Sequence, residues 1–200
     1  MDIKNVVSLM LFVLFMFSYS LKLVIQMRRN KINAFVLGKG VKTKETRGVE
    51  LFVRVSTFIW GTTWVIQAVL EDQVNNLIGT IFEVDYVLGL AVIALGLVTF
   101  IKAMIDMKSS WRVGIDKEVK SNLITNGIYQ HSRNPAFVGF DLMFAGLFLA
   151  YPNILTLIVA VSNIIGMHLL IIQEEKHLKA VFGDDYITYM KKTPRYFLFG

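Results

Sequence analysis

The chain contains no cysteine, which excludes disulfide staples, thiolate metal centres and cysteine nucleophiles. It has no G-x-G-x-x-G following a strand pattern, so a Rossmann-type nucleotide domain is not expected. His131 and His177 have no metal-ligand partners at useful spacing; no metal is expected, and both read as surface residues. Internal repeats, low-complexity tracts and glycine-serine linkers are missing as well, which leaves 1–200 as a single domain.

What is present is apolar. Of the 200 residues, 54% are hydrophobic, and the mean hydropathy is +0.55. Soluble domains sit near roughly 45–50% with glycine included. Five apolar runs stand out: Val6 to Leu21, Val55 to Leu70, Tyr86 to Ile101, Ala136 to Tyr151 and Ile154 to Ile172. Most fall short of the ~20 residues that cross a bilayer, so flanks such as Lys22 and Lys102 are expected to complete the span by snorkelling. The expected fold is all-α: a polytopic integral membrane protein with five transmembrane helices and a cytosolic C-terminal helical arm. The first run ends in Ser-Tyr-Ser-Leu-Lys without a small-residue cleavage site, so it is expected to remain attached.

Charge orients the helices. Nineteen of the twenty-one basic residues fall in three alternate segments: Arg28 to Arg54, Lys102 to Arg133, and Lys176 to Arg195. The intervening connection from Glu71 to Asp85 has four acids and no base. The positive-inside rule therefore places the N-terminus outside and the C-terminus in the cytosol, and the basic residues read as topology signals that meet anionic headgroups of the plasma (inner) membrane rather than as a nucleic-acid surface; no nucleic-acid partner is expected. Residues 1–105 would supply the first three helices. Residues 106–200 would form a core in which Pro152-Asn153 tips a tight hairpin flanked by two polar arms, with a break at Gly183 and a short helix over Asp184 to Lys192.

The run L-x-T-x-G-x-Y-x-x-x-R-[NH]-P-x-[FY]-x-G from Leu123 to Gly139, then Glu174-Glu175, then F-G-x-x-Y-x-x-Y from Phe182 to Tyr189, resembles the isoprenylcysteine carboxyl methyltransferase family and the related phospholipid methyltransferases. The resemblance covers about Trp111 to Arg195. It implies an integral membrane enzyme that transfers a methyl group from S-adenosyl-L-methionine to a lipophilic small molecule or lipid. It also implies that Ser121, Asn122, Leu123, Ile124, Tyr129, Asn134, Pro135, Ala136, Phe137, Glu174 and Glu175 surround the cofactor. Where many members have histidine this chain has Asn134, which keeps a donor and an acceptor but does not titrate near pH 7.

Elementary chemistry is consistent with that implication. Arg133 and the free N–H groups at the start of the fourth helix suit a carboxylate, a glutamate suits an ammonium or ribose hydroxyls, and the rings of Tyr129 or Phe137 suit adenine or a sulfonium charge. Arg133 and Asn134 are thus the catalytic candidates, acting through alignment rather than as nucleophiles. Members that methylate a prenylcysteine carboxylate have an arginine where Leu170 stands here, which favours a neutral, amine or thiol acceptor; His168 is the candidate stand-in for that cation, and Asp141, an acid one to two turns into the fourth helix, is a separate candidate for a substrate or proton role. Each feature also has a plainer reading. Arg133-Asn134-Pro135 alone is an anchor, an N-cap and a first-turn proline; Glu174-Glu175 alone is a juxtamembrane pair with Lys179 four residues on; Trp111 and Arg112 alone are an interfacial belt. Tyr186 and Tyr189 are expected to pack the C-terminal arm. The rival functions are an NADPH-dependent sterol-type reductase and a non-catalytic membrane component.

Overall fold

In a computed structural model that describes residues 2–31, 33–40, 42–115 and 122–197, the chain runs through α1 (Ile3–Asn30), α2 (Lys44–Ile78), α3 (Tyr86–Asp106), α4 (Pro135–Ala150), α5 (Ile154–Phe182) and α6 (Asp184–Lys192). Short 3-10 turns at Lys108–Ser110 and Gly127–Gln130 interrupt the long connection between α3 and α4. Among the described residues the sole strand-like contact is an isolated parallel bridge between Phe35 and Val113.

Local chemistry sets the boundaries. The Thr43 side chain accepts from the Thr46 N–H at the start of α2, and Asp85 accepts from the Val87 N–H at the start of α3. Asn153 and Thr156 form a reciprocal capping box that turns the hairpin into α5. Gly183, at φ +52°, stops α5 and starts α6, where the sequence places the break.

Four helices, α1, α2, α3 and α5, are long and apolar enough to cross a membrane; α4, at 16 residues, is shorter. At 1.5 Å per residue it is about 24 Å long, less than the ~30 Å hydrocarbon core. Among the described residues the structure thus has four helices of spanning length and one shorter apolar helix where five spans are expected, α4 being confined between Pro135 and the Pro152 turn. Conversely, α2 and α5 extend well past their apolar runs, and α2 kinks at Leu70.

The bundle is built on close contacts. Helices α3 and α4 run antiparallel with glycines at the crossing: a Cβ on Gly96 would sit 2.6 Å from the Gly139 carbonyl oxygen, and one on Gly139 would sit 2.8 Å from that of Gly96. Gly89 and Gly146 repeat the arrangement against Ala150 and Ile93. In lipid, where apolar surface has little preference for protein over solvent, such backbone approach supplies dispersion contacts that larger side chains would prevent. Helix α2 lies along α5, with Gly166 under Phe52, the Asn163 amide donating to the Ser56 carbonyl at 3.2 Å, and the Thr46 hydroxyl donating to Gln173 at 3.0 Å. Helix α1 joins through the Trp64 indole, which donates to Ser8 at 2.8 Å, and through an ion pair between Lys4 and Glu71. Phe15, Trp60, Phe100, Phe140 and Phe144 fill the centre. The outward faces carry exposed apolar residues such as Met10, Phe58 and Val98, as lipid contact requires.

Lys22 reaches past its expected snorkelling role and donates to the Met104 carbonyl at 2.6 Å, placing a cation on the C-terminal end of α3. Replacing Gly96 or Gly139 by alanine is expected to cost about 1–3 kcal/mol through forced separation of α3 and α4. Gly48→Ala, in open space on the exposed face of α2, should be neutral or stabilise by about 0.5–1 kcal/mol. Reversible unfolding in mixed micelles would check both.

Candidate active site

At the end of the bundle that carries most of the basic residues, one carboxylate gathers three chain segments. Glu175, on α5, is 4% exposed. It accepts from Arg133 Nε at 3.2 Å, from the Asn134 side-chain amide at 3.0 Å and from Arg195 Nη2 at 2.9 Å. The same segments are sewn by backbone: the Arg133 N–H donates to the Pro194 carbonyl at 2.9 Å, the Ser132 hydroxyl donates to the Arg195 carbonyl at 2.9 Å, and Arg133 Nη1 donates to the Thr193 carbonyl. Hydrogen bonding to Glu175 raises the Arg195 guanidinium above its ordinary value, so Arg195 stays charged throughout the accessible pH range. Asn134 occupies the N-cap position of α4 but makes no side-chain cap; its amide is committed to Glu175 instead.

Beside this junction lies a cavity of about 1160 Å³. One end is walled by Asn122, Leu123, Ile124, Tyr129, Arg133, Asn134, Ala136, Phe137 and Glu174; towards the bundle centre the wall becomes Phe12, Phe15, Trp60, Phe100 and Phe140. Glu174 is half-buried, and among the described residues its carboxylate has no hydrogen bond or ion pair. A polar end with an unpaired carboxyl group is thus continuous with an aromatic interior.

The turn before α4 explains how Tyr129 comes to face this space. Asp106, at the end of α3, accepts from the Ile128 N–H at 2.8 Å, and a Cβ on Gly127 (φ +64°) would collide with that carboxylate at 2.2 Å. Only glycine fits. Tyr129 is 4% exposed, its hydroxyl donates to the Met107 sulfur at 3.4 Å, and its carbonyl accepts from the Tyr189 hydroxyl at 2.6 Å. Burial pushes the Tyr129 phenol well above its usual range, so it remains a neutral donor and does not serve as a base.

A family model described as phospholipid methyltransferase matches residues 84–185, half of the chain. The chain belongs to the phospholipid methyltransferase family. It is also 32% identical over 121 residues to a protein-S-isoprenylcysteine O-methyltransferase of Schizosaccharomyces pombe (strain 972 / ATCC 24843). That alignment covers 59% of this chain and 51% of the relative, so the chain spans about half the length of the curated relative it matches.

For a phospholipid methyltransferase family member, the placement of the expected residues is informative. Asn122, Leu123, Ile124, Tyr129, Arg133, Asn134, Ala136, Phe137, Leu170 and Glu174 share the cavity wall. Ser121 lies outside the described residues. Pro135 is buried in the first turn of α4, and Glu175 sits behind the wall on its two arginines. Asp141 and His168 are also off the wall; His168 is exposed and stacks on Tyr196, with Nδ1 2.5 Å from the tyrosine oxygen.

Three plainer readings are corrected. Trp111 is not an interfacial belt residue: it is 3% exposed, with its ring edge-on to Tyr19 at 5.9 Å, because Lys108, at φ +49°, turns the chain back into the bundle. Arg112 follows it onto the cavity wall, and His177, read as a surface residue, is half-buried there too. Glu175 pairs with Arg133 and Arg195 rather than with Lys179. Sequence reasoning also missed Glu50, fully buried on α2 and ion-paired with Lys42 at 2.6 Å. The signal was available: an acid within a base-rich segment, the same anomaly that singles out Glu174 and Glu175.

The two adjacent glutamates should respond oppositely to substitution. Glu175→Ala strands two guanidinium groups and is expected to lose about 3–5 kcal/mol of stability. Glu174→Gln removes an unpaired carboxyl group and should leave stability unchanged or raised, as chemical unfolding of the two purified variants would show.

Proposed function

We propose that the chain is an S-adenosylmethionine-dependent integral membrane methyltransferase acting on a lipophilic acceptor. The observation that carries this reading is the continuity of one cavity from an unpaired glutamate to an aromatic interior. At about 1160 Å³ it exceeds the roughly 300–1,000 Å³ of a typical single-ligand pocket, as a site for two reactants should. Family membership supports the same chemistry.

The donor's groups match the wall. Glu174 offers its carboxylate to the amino-acid ammonium, and the first-turn N–H groups of Ala136 and Phe137, which no helical carbonyl takes, offer an anion site for the carboxylate. The rings of Tyr129 and Phe137 flank adenine or the sulfonium. When bound, the cofactor supplies an electrophilic methyl group. The protein's part is to align it with the acceptor atom and keep water out, for which Phe15, Trp60, Phe100 and Phe140 suffice. Arg133 and Asn134 contribute by holding the start of α4 against Glu175. Leu170 leaves an apolar patch where relatives that take a carboxylate have a cation, but Arg54 of α2 lines the same cavity and offers an anionic acceptor group a partner.

In this reading α4 completes a fifth crossing with help from its flanks, the N-terminus faces outward, and the basic end of the bundle with α6 faces the cytosol, at the plasma (inner) membrane. Soluble cofactor reaches the polar end while the acceptor arrives from the lipid.

S-adenosylhomocysteine is expected to raise the thermal midpoint of the purified protein and NADPH to leave it unchanged; the reverse result would replace the reading with the reductase alternative. Glu174→Gln should weaken S-adenosylhomocysteine binding by about 10- to 100-fold, the loss of one charge-assisted contact. Tritiated methyl transfer into a total lipid extract would identify the acceptor.

A further inference from the structure

Glu50 lies outside the residues that the family model matches, yet its surroundings bear on the cavity. From a fixed position on α2, with no exposure to solvent, its carboxylate accepts from Lys42 Nζ at 2.6 and 2.7 Å, from the Gly38 N–H at 2.7 Å and from the Ile115 N–H at 3.0 Å. Lys42 also donates to the Val36 carbonyl at 2.8 Å. Two loops that are remote in sequence therefore share one acceptor.

Those loops form part of the cavity wall. The Val36 N–H donates to the Val113 carbonyl at 2.9 Å and the Val113 N–H to the Ala34 carbonyl at 2.8 Å, so the segments run side by side. Gly114, at φ +91°, closes the gap: a Cβ there would sit 2.7 Å from the Leu37 backbone and 3.1 Å from Glu50 Oε1. Phe35, Leu37, Val113 and Ile115 then face the cavity. The same stretch reaches the segment expected to contact the cofactor, because the Ser110 hydroxyl accepts from the Asn122 N–H at 3.3 Å.

Stability alone is a poor reason for this arrangement, since a buried ion pair is often no better than apolar residues of the same volume. What a carboxylate does uniquely is accept from two loop N–H groups and a lysine at once; an amide would turn one donor face towards Lys42 and release at least one N–H. We infer that Glu50 is a positioning residue for the cofactor site, holding residues 33–40 and 110–115 in register so that Asn122–Ile124 present the correct wall. It acts through those segments and touches neither reactant. This inference rests on the methyltransferase reading.

The test uses the whole 200-residue chain in detergent and S-adenosylhomocysteine as the probe. Wild type should bind it. Glu50→Gln should keep the helical circular dichroism signal while the dissociation constant rises about tenfold or more. The KM for S-adenosylmethionine should rise with it while kcat at saturating cofactor changes less than about threefold, a split that a purely structural loss of folded protein would not produce. Should Glu50→Gln fail to fold, Gly114→Ala moves the same wall with the carboxylate intact and should weaken binding likewise. Failure of wild type to bind the probe overturns the methyltransferase reading and this inference with it. Binding by wild type with unchanged affinity in a folded Glu50→Gln or, where that variant does not fold, in Gly114→Ala overturns the positioning role alone.

Discussion

A buried carboxylate must find partners, and the partners that Glu175 finds are the residues on which the rest of the site depends. Arg133 and Asn134 precede α4, and Arg195 follows α6. Taking an ionised glutamate out of water costs several kcal/mol unless compensated, so the junction favours an all-or-none arrangement in which both polar segments close on α5 together. Once they do, the start of α4 faces the cavity, Tyr189 can reach the Tyr129 carbonyl, and α6 packs through Tyr186 and Tyr189.

Three glutamates near this end divide the work by environment. Glu175 is neutralised and structural, Glu50 is neutralised and spans two loops, and Glu174 stands half-buried on the wall with no described partner. A protein that needed only stability would have little use for the third. An unpaired carboxyl group beside aromatic rings is a good host for a cation, which links the electrostatics of the wall to the sulfonium chemistry proposed for it.

Much of this was legible in advance for definable reasons. Apolar runs report helices because lipid allows little else, and Gly183 and Pro152-Asn153 report breaks because their backbones do not continue a helix. The juxtaposition of Tyr129 and Glu174 on one cavity is what the family resemblance implies. Other features escaped because they depend on which faces meet. The α3–α4 contact uses Gly89, Gly96, Gly139 and Gly146, whose purpose shows only when the second backbone is in place. Trp111 reads as an interfacial-belt residue and His177 as a surface residue because a linear pattern carries no record of the turn at Lys108 or of the space that α5 borders.

By itself, the amino-acid order determined an all-helical, lipid-facing chain with its charges at alternate ends, since hydropathy and charge act locally and each segment answers to the solvent around it. Only the tertiary structure decided which acid is paired and which is free, that α4 is held short against α3, and that Glu50 belongs to the cavity. Those outcomes turn on distances between residues far apart in the chain, where a shift of an ångström separates an ion pair from an unpaired charge.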